Sequence, residues 1–421
     1  MVTRRVILGY AVGVALLAAA VGWSPTGALI ALAQDAPAVD ASASPLGELV
    51  SVEGGRSRGR LVACDPVWKL TFATEKGTKS LAAADLVWWG TPVEPARGPL
   101  VLLADGSLLA ANVEAVGREQ VTIESPTFGE LEVPLAEVAA VALAPPGTTA
   151  RRDRWLDELR AVAGDTDELW LDNGDRLKGI LKSVRPEAVE LETDIGPATI
   201  EIARVAAIVF NPALAARHEP KGLRALLGLA DGSLLVVDEL SLKPAGKDKP
   251  RLAQITTLGG ISGTAAAAEV VYLQPLGGRV DYLSDLQPQS YRHIPYLTVE
   301  WPYRADRTAS GNWLRAAERW WPKGLGMHSA ARLTYDLRPE HQRFEAELAI
   351  DAEAGPRGSV VCRVYVDNQE RFVSEVVRGG AAPVNVSVDV RGGKRVSLIV
   401  DFADRADELD YADWLSARLV R

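Results

Sequence analysis

The chain has 421 residues, enough for more than one domain at roughly 150 residues each. Charged residues make up 24% and the mean hydropathy is +0.03, which excludes wholesale disorder. A formal net charge of -9 argues against a nucleic-acid binder, which needs a basic face, and sets up repulsion toward acidic polymers.

The chain opens on a short basic stretch ending in Arg4-Arg5, followed by an apolar run from Val6 to Trp23 and a small-x-small pattern at Ala31-Leu32-Ala33. These are the three parts of a secretory signal peptide, read at residues 1–33. The paired arginines also suit a twin-arginine route, and an uncleaved anchor is the competing reading, since the run nears the roughly 20 residues that span a bilayer. Cleavage is the expectation. It leaves an exported chain without a transmembrane segment, in the periplasm, on the cell surface or outside the cell. Residues 34–45 are Ala/Ser/Pro/Asp-rich and read as a flexible tether.

The middle of the chain repeats one small unit four times, at 46–93, 98–146, 166–213 and 221–277. Each copy opens on two apolar runs around a turn: Glu53-Gly54, Asp105-Gly106, Asn173-Gly174 and Asp231-Gly232. Asn-Gly or Asp-Gly at that place is a hairpin signal, because both residues tolerate positive φ. Copies two and three continue with alternating strands, a glycine turn (Gly129, Gly196) and an Ala/Val run. The pattern predicts small rolled sheets similar to SH3-like or Sm-like barrels. Copy four is degenerate, with a Lys/Pro-rich insertion from Lys243 to Arg251 and a Gly/Ala-rich return. Residues 147–165 form a linker in which Trp155, Leu156, Leu159 and Val162 share one face of a short amphipathic helix, expected to pack across a barrel end. Trp68, Trp88, Trp89 and Trp170 read as core residues first and as lining for a groove second. Cys64 and Cys362 lack neighbours at metal-ligand spacing and read as small core hydrophobes.

From about residue 282 the pattern changes. Six alternating segments, at 333–337, 344–350, 359–366, 372–377, 384–390 and 395–401, predict an antiparallel β-sandwich. The fold class expected for the whole chain is therefore all-β. Three motifs stand out in this region: Trp320-Trp321-Pro322-Lys323 with Gly326-Met327-His328, the run Gly358 to Asp367, and the closing Leu409 to Leu419 with Trp414. Together they resemble the NPCBM family, a carbohydrate-binding module often attached to glycosidases, over residues 282–421. The resemblance implies a galactose-binding-like jelly roll. A sugar site needs an aromatic face and fixed polar groups, usually on loops at one end of a sandwich. The loop from Trp320 to Ser329 offers Trp320, Trp321, Lys323 and His328, with His328 the first choice for a hydroxyl contact. The alternative for His328 is a purely structural hydrogen bond. Asp351 resembles the family's acidic loop position, although the acidic run expected there is replaced by Ala352-Glu353-Ala354. The resemblance also implies a structural calcium near the joined termini, for which Asp285, Asp410 and Asp413 are the candidate carboxylates. The alternative is that Asp413 caps a terminal turn while Trp414 plugs the core.

No nucleophile–base motif, phosphate loop or paired metal histidines appear, and too little chain remains beside the repeats and sandwich for a catalytic barrel. The expectation is an exported, non-catalytic protein binding a neutral glycan or cell-surface polysaccharide, with galactose-type sugars first. The alternative is a cell-envelope scaffold or protein-interaction module whose sandwich binds no sugar.

Overall fold

The computed structural model describes residues 43–95, 97–243 and 250–421. The leader read at 1–33, most of the tether and residues 244–249 of the insertion lie outside the described residues. No helix among those described is long and apolar enough to cross a membrane.

Each of the four copies follows one plan, strands one to four, a single 3₁₀ turn and a fifth strand, with the second strand of copy two broken into Leu108–Ala110 and Asn112–Val116. In the third copy these are Asp167–Leu171, Arg176–Val184, Ala188–Thr193, Gly196–Glu201, the turn Ile202–Arg204, and Val205–Val209. Strand one pairs with strands two and five, giving the order 5-1-2-3-4. The first hairpin of every copy turns on a glycine, Gly54, Gly106, Gly174 or Gly232, with φ between +80° and +93°, where a Cβ would be strained. The second strand of every copy slips register once: between Leu61 and Ala63, Val113 and Ala115, Leu181 and Ser183, and Val237 and Glu239. An extra residue on one strand bends it and increases its twist, so the bulge curls each short sheet around its own apolar filling. The fourth copy keeps the full plan despite its altered sequence. Its insertion falls in the sequence between the strands Leu234–Leu242 and Leu252–Thr257, and its Gly/Ala-rich return contains the strand Ser262–Ala266.

The copies join through their fifth strands in a nested order. Val138–Ala142 of copy two pairs with Val205–Val209 of copy three, Val141 opposite Ile208. Leu86–Gly90 of copy one pairs with Val270–Leu276 of copy four, Trp89 opposite Leu273. The linker helix, α1 (Thr149–Ala161), buries Leu156 and Leu159 against strands of copies two and three and against Trp313 and Trp320 of the sandwich region. Trp68, Trp88, Trp89 and Trp170 are all buried. So are Cys64 and Cys362, which are unbridged.

The C-terminal region is an antiparallel sandwich of two sheets. The first runs Arg304–Ala305, Gly324–Met327, Ala412–Val420, Arg343–Ile350, Val384–Asp389, and Val280–Tyr282 adds to the end of its central strand. The second runs Ser290–His293, Ala331–Asp336, Arg395–Phe402, Ser359–Val366, Gln369–Val373. Between them lies one apolar core of residues such as Met327, Leu333, Phe344, Val364, Leu398 and Trp414. Two segments differ from the sequence reading. The expected loop at 320–329 is built from two strands, Arg319–Trp321 and Gly324–Met327. The expected terminal turn at 410–414 leads into Ala412–Val420, the central strand of the first sheet, so Asp413 caps no turn, although Trp414 does fill the core.

The first sheet is covered on both sides. Its outer face carries Ala349, Leu415 and Val420 into an apolar layer shared with Val50, Trp88, Leu226 and Tyr272 of copies one and four. A hairpin, Leu314–Ala316 and Arg319–Trp321, is clamped between the halves, with Trp321 edge-on to Trp88 at 6.1 Å. Ion pairs border it: Arg315 reaches Asp153 of α1 at 2.5 Å and Glu94 at 2.7 Å. Residues 43–421 belong to one compact unit.

Candidate functional site

His328 sits just past the end of the strand Gly324–Met327, at the edge of the sandwich core, and is 2% exposed. The indole of Trp301 stacks on its imidazole at 4.7 Å and 8° between planes. Tyr411 stands edge-on to both rings, 5.7 Å from His328 and 5.6 Å from Trp301, and His293 approaches edge-on at 6.1 Å. Trp301 and Tyr411 are half-buried, so the cluster opens outward on its aromatic side.

The hydrogen bonds decide which nitrogens are free. Trp301 N–H donates to His293 Nδ1 at 3.3 Å, so His293 Nε2 carries the proton and donates to the Ser329 carbonyl at 3.0 Å. His328 Nδ1 lies 2.9 Å from that same carbonyl and must donate to it. With Nδ1 protonated, the neutral ring presents Nε2 as a bare acceptor, and no described residue occupies it. Burial pushes the His328 pKa below its usual value, which keeps the ring neutral at pH 7. Behind the loop, Asp410 accepts from Ser329 Oγ at 2.6 Å and from Ser359 N–H at 3.1 Å, fixing the turn that carries both residues. Tyr291 Oη donates to the Trp301 carbonyl at 2.6 Å and anchors the opposite wall. A flat aromatic surface beside a fixed neutral acceptor is chemically suited to the C–H face and one hydroxyl of a sugar ring.

The other expected site residues lie elsewhere. Trp320 and Trp321 are turned away from His328 into the layers that join the sandwich to the repeats and α1. Indole N–H groups there donate to the backbone, Trp320 to Val93 O at 3.0 Å. Lys323 is buried and held between Asp285 at 2.5 Å and Asp306 at 2.8 Å, so its charge is already matched. Asp351 accepts from the N–H groups of Glu353 at 2.9 Å and Arg315 at 2.8 Å, which makes it a cap for a 3₁₀ turn and an anchor for the hairpin. These four residues are corrected from ligand contacts to structural roles. For the tryptophans the reason is that the repeats and α1 cover the face on which the loop was expected to be open, while Lys323 and Asp351 are taken up by groups of the sandwich region itself. Trp301, Tyr411 and His293 take the place expected for the tryptophan pair. Trp301 lies between Pro295 and Pro302, outside any strand alternation, and that proline-flanked tryptophan is the signal that could have found it.

The three carboxylates expected to hold calcium do not meet. Asp285 faces Lys323, Asp410 faces Ser329 and Ser359, and Asp413 faces Asp351. No group of three or more His, Cys, Asp or Glu side chains placed to hold a metal ion occurs among the described residues. The donor set does not fit a calcium site.

Fold and site thus define an antiparallel β-sandwich module with an aromatic–histidine cluster at one edge, fused to four small β units. Residues 279–420 match the NPCBM/NEW2 domain, and the C-terminal third of the chain carries such a domain. A curated relative from Renibacterium salmoninarum, "Putative endo-alpha-N-acetylgalactosaminidase", is 28% identical over 176 residues, 41% of this chain. The chain spans only 12% of that relative's length. Among solved structures, similarity is found to the CBM51 module from Clostridium perfringens GH95 in complex with methyl-galactose, at 23% identity and TM-score 0.31, covering 34% of this chain and 99% of that one. The CBM51-2 and INT domains of Clostridium perfringens ZmpB, in complex with GlcNAc, are similar at 24% identity and TM-score 0.32, covering 44% and 38%.

Proposed function

We propose that this is an exported, non-catalytic protein that binds a neutral glycan, galactose-type sugars first, at the cluster of His328, Trp301 and Tyr411. The observation that carries the reading is the free Nε2 of a neutral, buried His328 beside a half-exposed indole stacked upon it. The NPCBM/NEW2 domain at 279–420 supports it. So does the partial relative, whose name places it among enzymes acting on N-acetylgalactosamine linkages. The non-catalytic part rests on the sequence, which carries no nucleophile–base motif, phosphate loop or paired metal histidines.

Isothermal titration of the full chain against galactose, N-acetylgalactosamine and other neutral sugars tests this. We expect a binding heat that disappears in His328→Ala and in Trp301→Ala while the far-UV dichroism is unchanged. A second reading, the envelope scaffold, is favoured by one observation: both tryptophans of the Trp320-Trp321 pair hold the sandwich onto the repeats. No heat with any sugar from the folded chain would shift the conclusion to that scaffold.

A further inference from the structure

The first sheet of the sandwich is covered on its outside, but the second is not, and that free face carries an unexpected arrangement of charge. Side chains at alternate positions point outward there. In register across neighbouring strands, Arg292 stands directly opposite Arg332, and the next row is Ser290, Thr334 and Ser397. Like charges directly opposite each other on paired strands are destabilising, so a fold selected for stability alone would place a carboxylate at one of the two. None does so. Among the described residues Arg292 makes no ion pair or hydrogen bond. Arg332 bonds only neutral oxygens, Asn368 Oδ1 at 3.3 Å and Ser397 Oγ at 3.0 Å. Further along, four residues or about 13 Å away, Lys394 and Arg395 close the other end of the same groove, whose volume is about 860 Å³.

Two carboxylates border the groove, and neither neutralises the arginine pair. Asp336 lies 3.4 Å from Arg395. Asp367 accepts from the backbone N–H groups of Lys394 and Arg395, both at 3.0 Å, which commits it to the turn. Between the cationic ends the floor is hydroxylic, with Thr334 Oγ1 and Ser397 Oγ 2.9 Å apart.

We propose that this face is a second binding site, which takes an anionic polysaccharide: the arginine pair holds a carboxylate or sulfate, the hydroxyl row pairs sugar hydroxyls, and Lys394 with Arg395 meets the next charged unit. Arginine suits either anion through paired N–H donors. A single-stranded nucleic acid would need aromatic platforms between its phosphates, and the rows between these cations hold serine and threonine instead. The overall negative charge does not prevent such contact, because at physiological salt the field of distant acidic groups is screened within about 8 Å.

Affinity electrophoresis of the full chain at physiological ionic strength, about 0.15 M, tests the site, with polygalacturonate for carboxylate, dextran sulfate for sulfate, neutral dextran as control, and a thymidine oligonucleotide. We expect retardation by one or both acidic polysaccharides and none by dextran. The apparent affinity should fall at least about tenfold in the Arg292→Ser/Arg332→Ser double variant. The heat measured with galactose should be the same in this double variant as in the parent chain, which separates this site from the sugar cluster. Both arginines are exposed, so the double variant should keep its dichroism spectrum. No retardation, retardation that survives in the double variant, or equal retardation by the oligonucleotide would overturn the proposal.

Discussion

Both carboxylate oxygens of Asp413 are buried in the first sheet without a donor from any other group, and the Asp351 carboxyl faces them from the neighbouring strand end, so the pair can bond only by keeping a proton. Burial pushes the Asp413 pKa well above the usual carboxylate range, and the charge on Asp351 pushes it the same way. A carboxyl whose folded pKa is raised keeps a proton that the unfolded chain releases. Stability therefore falls as pH rises from about 4 through the raised value, and it levels beyond that. Asp410 adds a smaller window of the same sign, ending where its pKa, pushed up by burial, stands at about 6. Asp413→Asn supplies a donor to Asp351 without needing a proton. It should raise the unfolding free energy at pH 7 by about 1–3 kcal/mol and reduce the decline above pH 4 to the part due to Asp410, Asp351 and Asp238, whose carboxyls burial also pushes up. Denaturant titrations at several pH values check this; a variant as pH-dependent as the parent would sink it. At this scale the sequence singles out His328 behind Gly326 in a segment it reads as a loop, and the structure places it just past the end of a strand. It cannot show which ring lies over the histidine. Trp301 and Tyr411 reach it from 27 and 83 residues away, through pairings that leave no local pattern.

The hairpin Leu314–Trp321 explains why the tryptophan pair misleads. A hairpin with a tight turn at Ala317 and Glu318, both at positive φ, looks from sequence like a ligand loop. It is instead a wedge whose alternate faces enter two apolar layers, Trp320 into one and Trp321 into the other. Trp321→Ala should cost about 3–5 kcal/mol of unfolding free energy and leave sugar affinity unchanged. An affinity loss with little change in stability would return Trp321 to the site. The strand Ala412–Val420 escapes a period-two reading for a related reason. All nine of its residues are buried, so polar and apolar side chains no longer sort by face, and Arg418 is accommodated by Glu345 at 2.8 Å. The strands with one wet face, such as Ser359–Val366 and Arg395–Phe402, announce themselves by alternation. Ala412–Val420, covered twice, does not, whereas Arg343–Ile350 in the same sheet keeps its alternation through Glu345 and Glu347, which are paired with Arg418 and Arg56.

Across the whole molecule, sandwich and repeats share one apolar layer bordered by the Arg315 and Arg307 ion pairs with α1, and that layer is continuous with the outer face of the first sheet. Calorimetry should accordingly show the described region unfolding in one cooperative transition. Two resolved transitions, with the sandwich melting apart from the repeats, would contradict the shared layer. The nested pairing of the copies has a consequence for how the chain is made. Copies two and three meet soon after both exist, but the fifth strand of copy one waits for its partner until copy four has been synthesised. During that interval Leu86–Gly90, with its two tryptophans, is an unsatisfied template able to recruit any strand that passes. The strand pairing of longest sequence separation among the described residues therefore joins the earliest and latest repeats, and it leaves one edge of copy one open to the chain's own neighbours until the last repeat arrives.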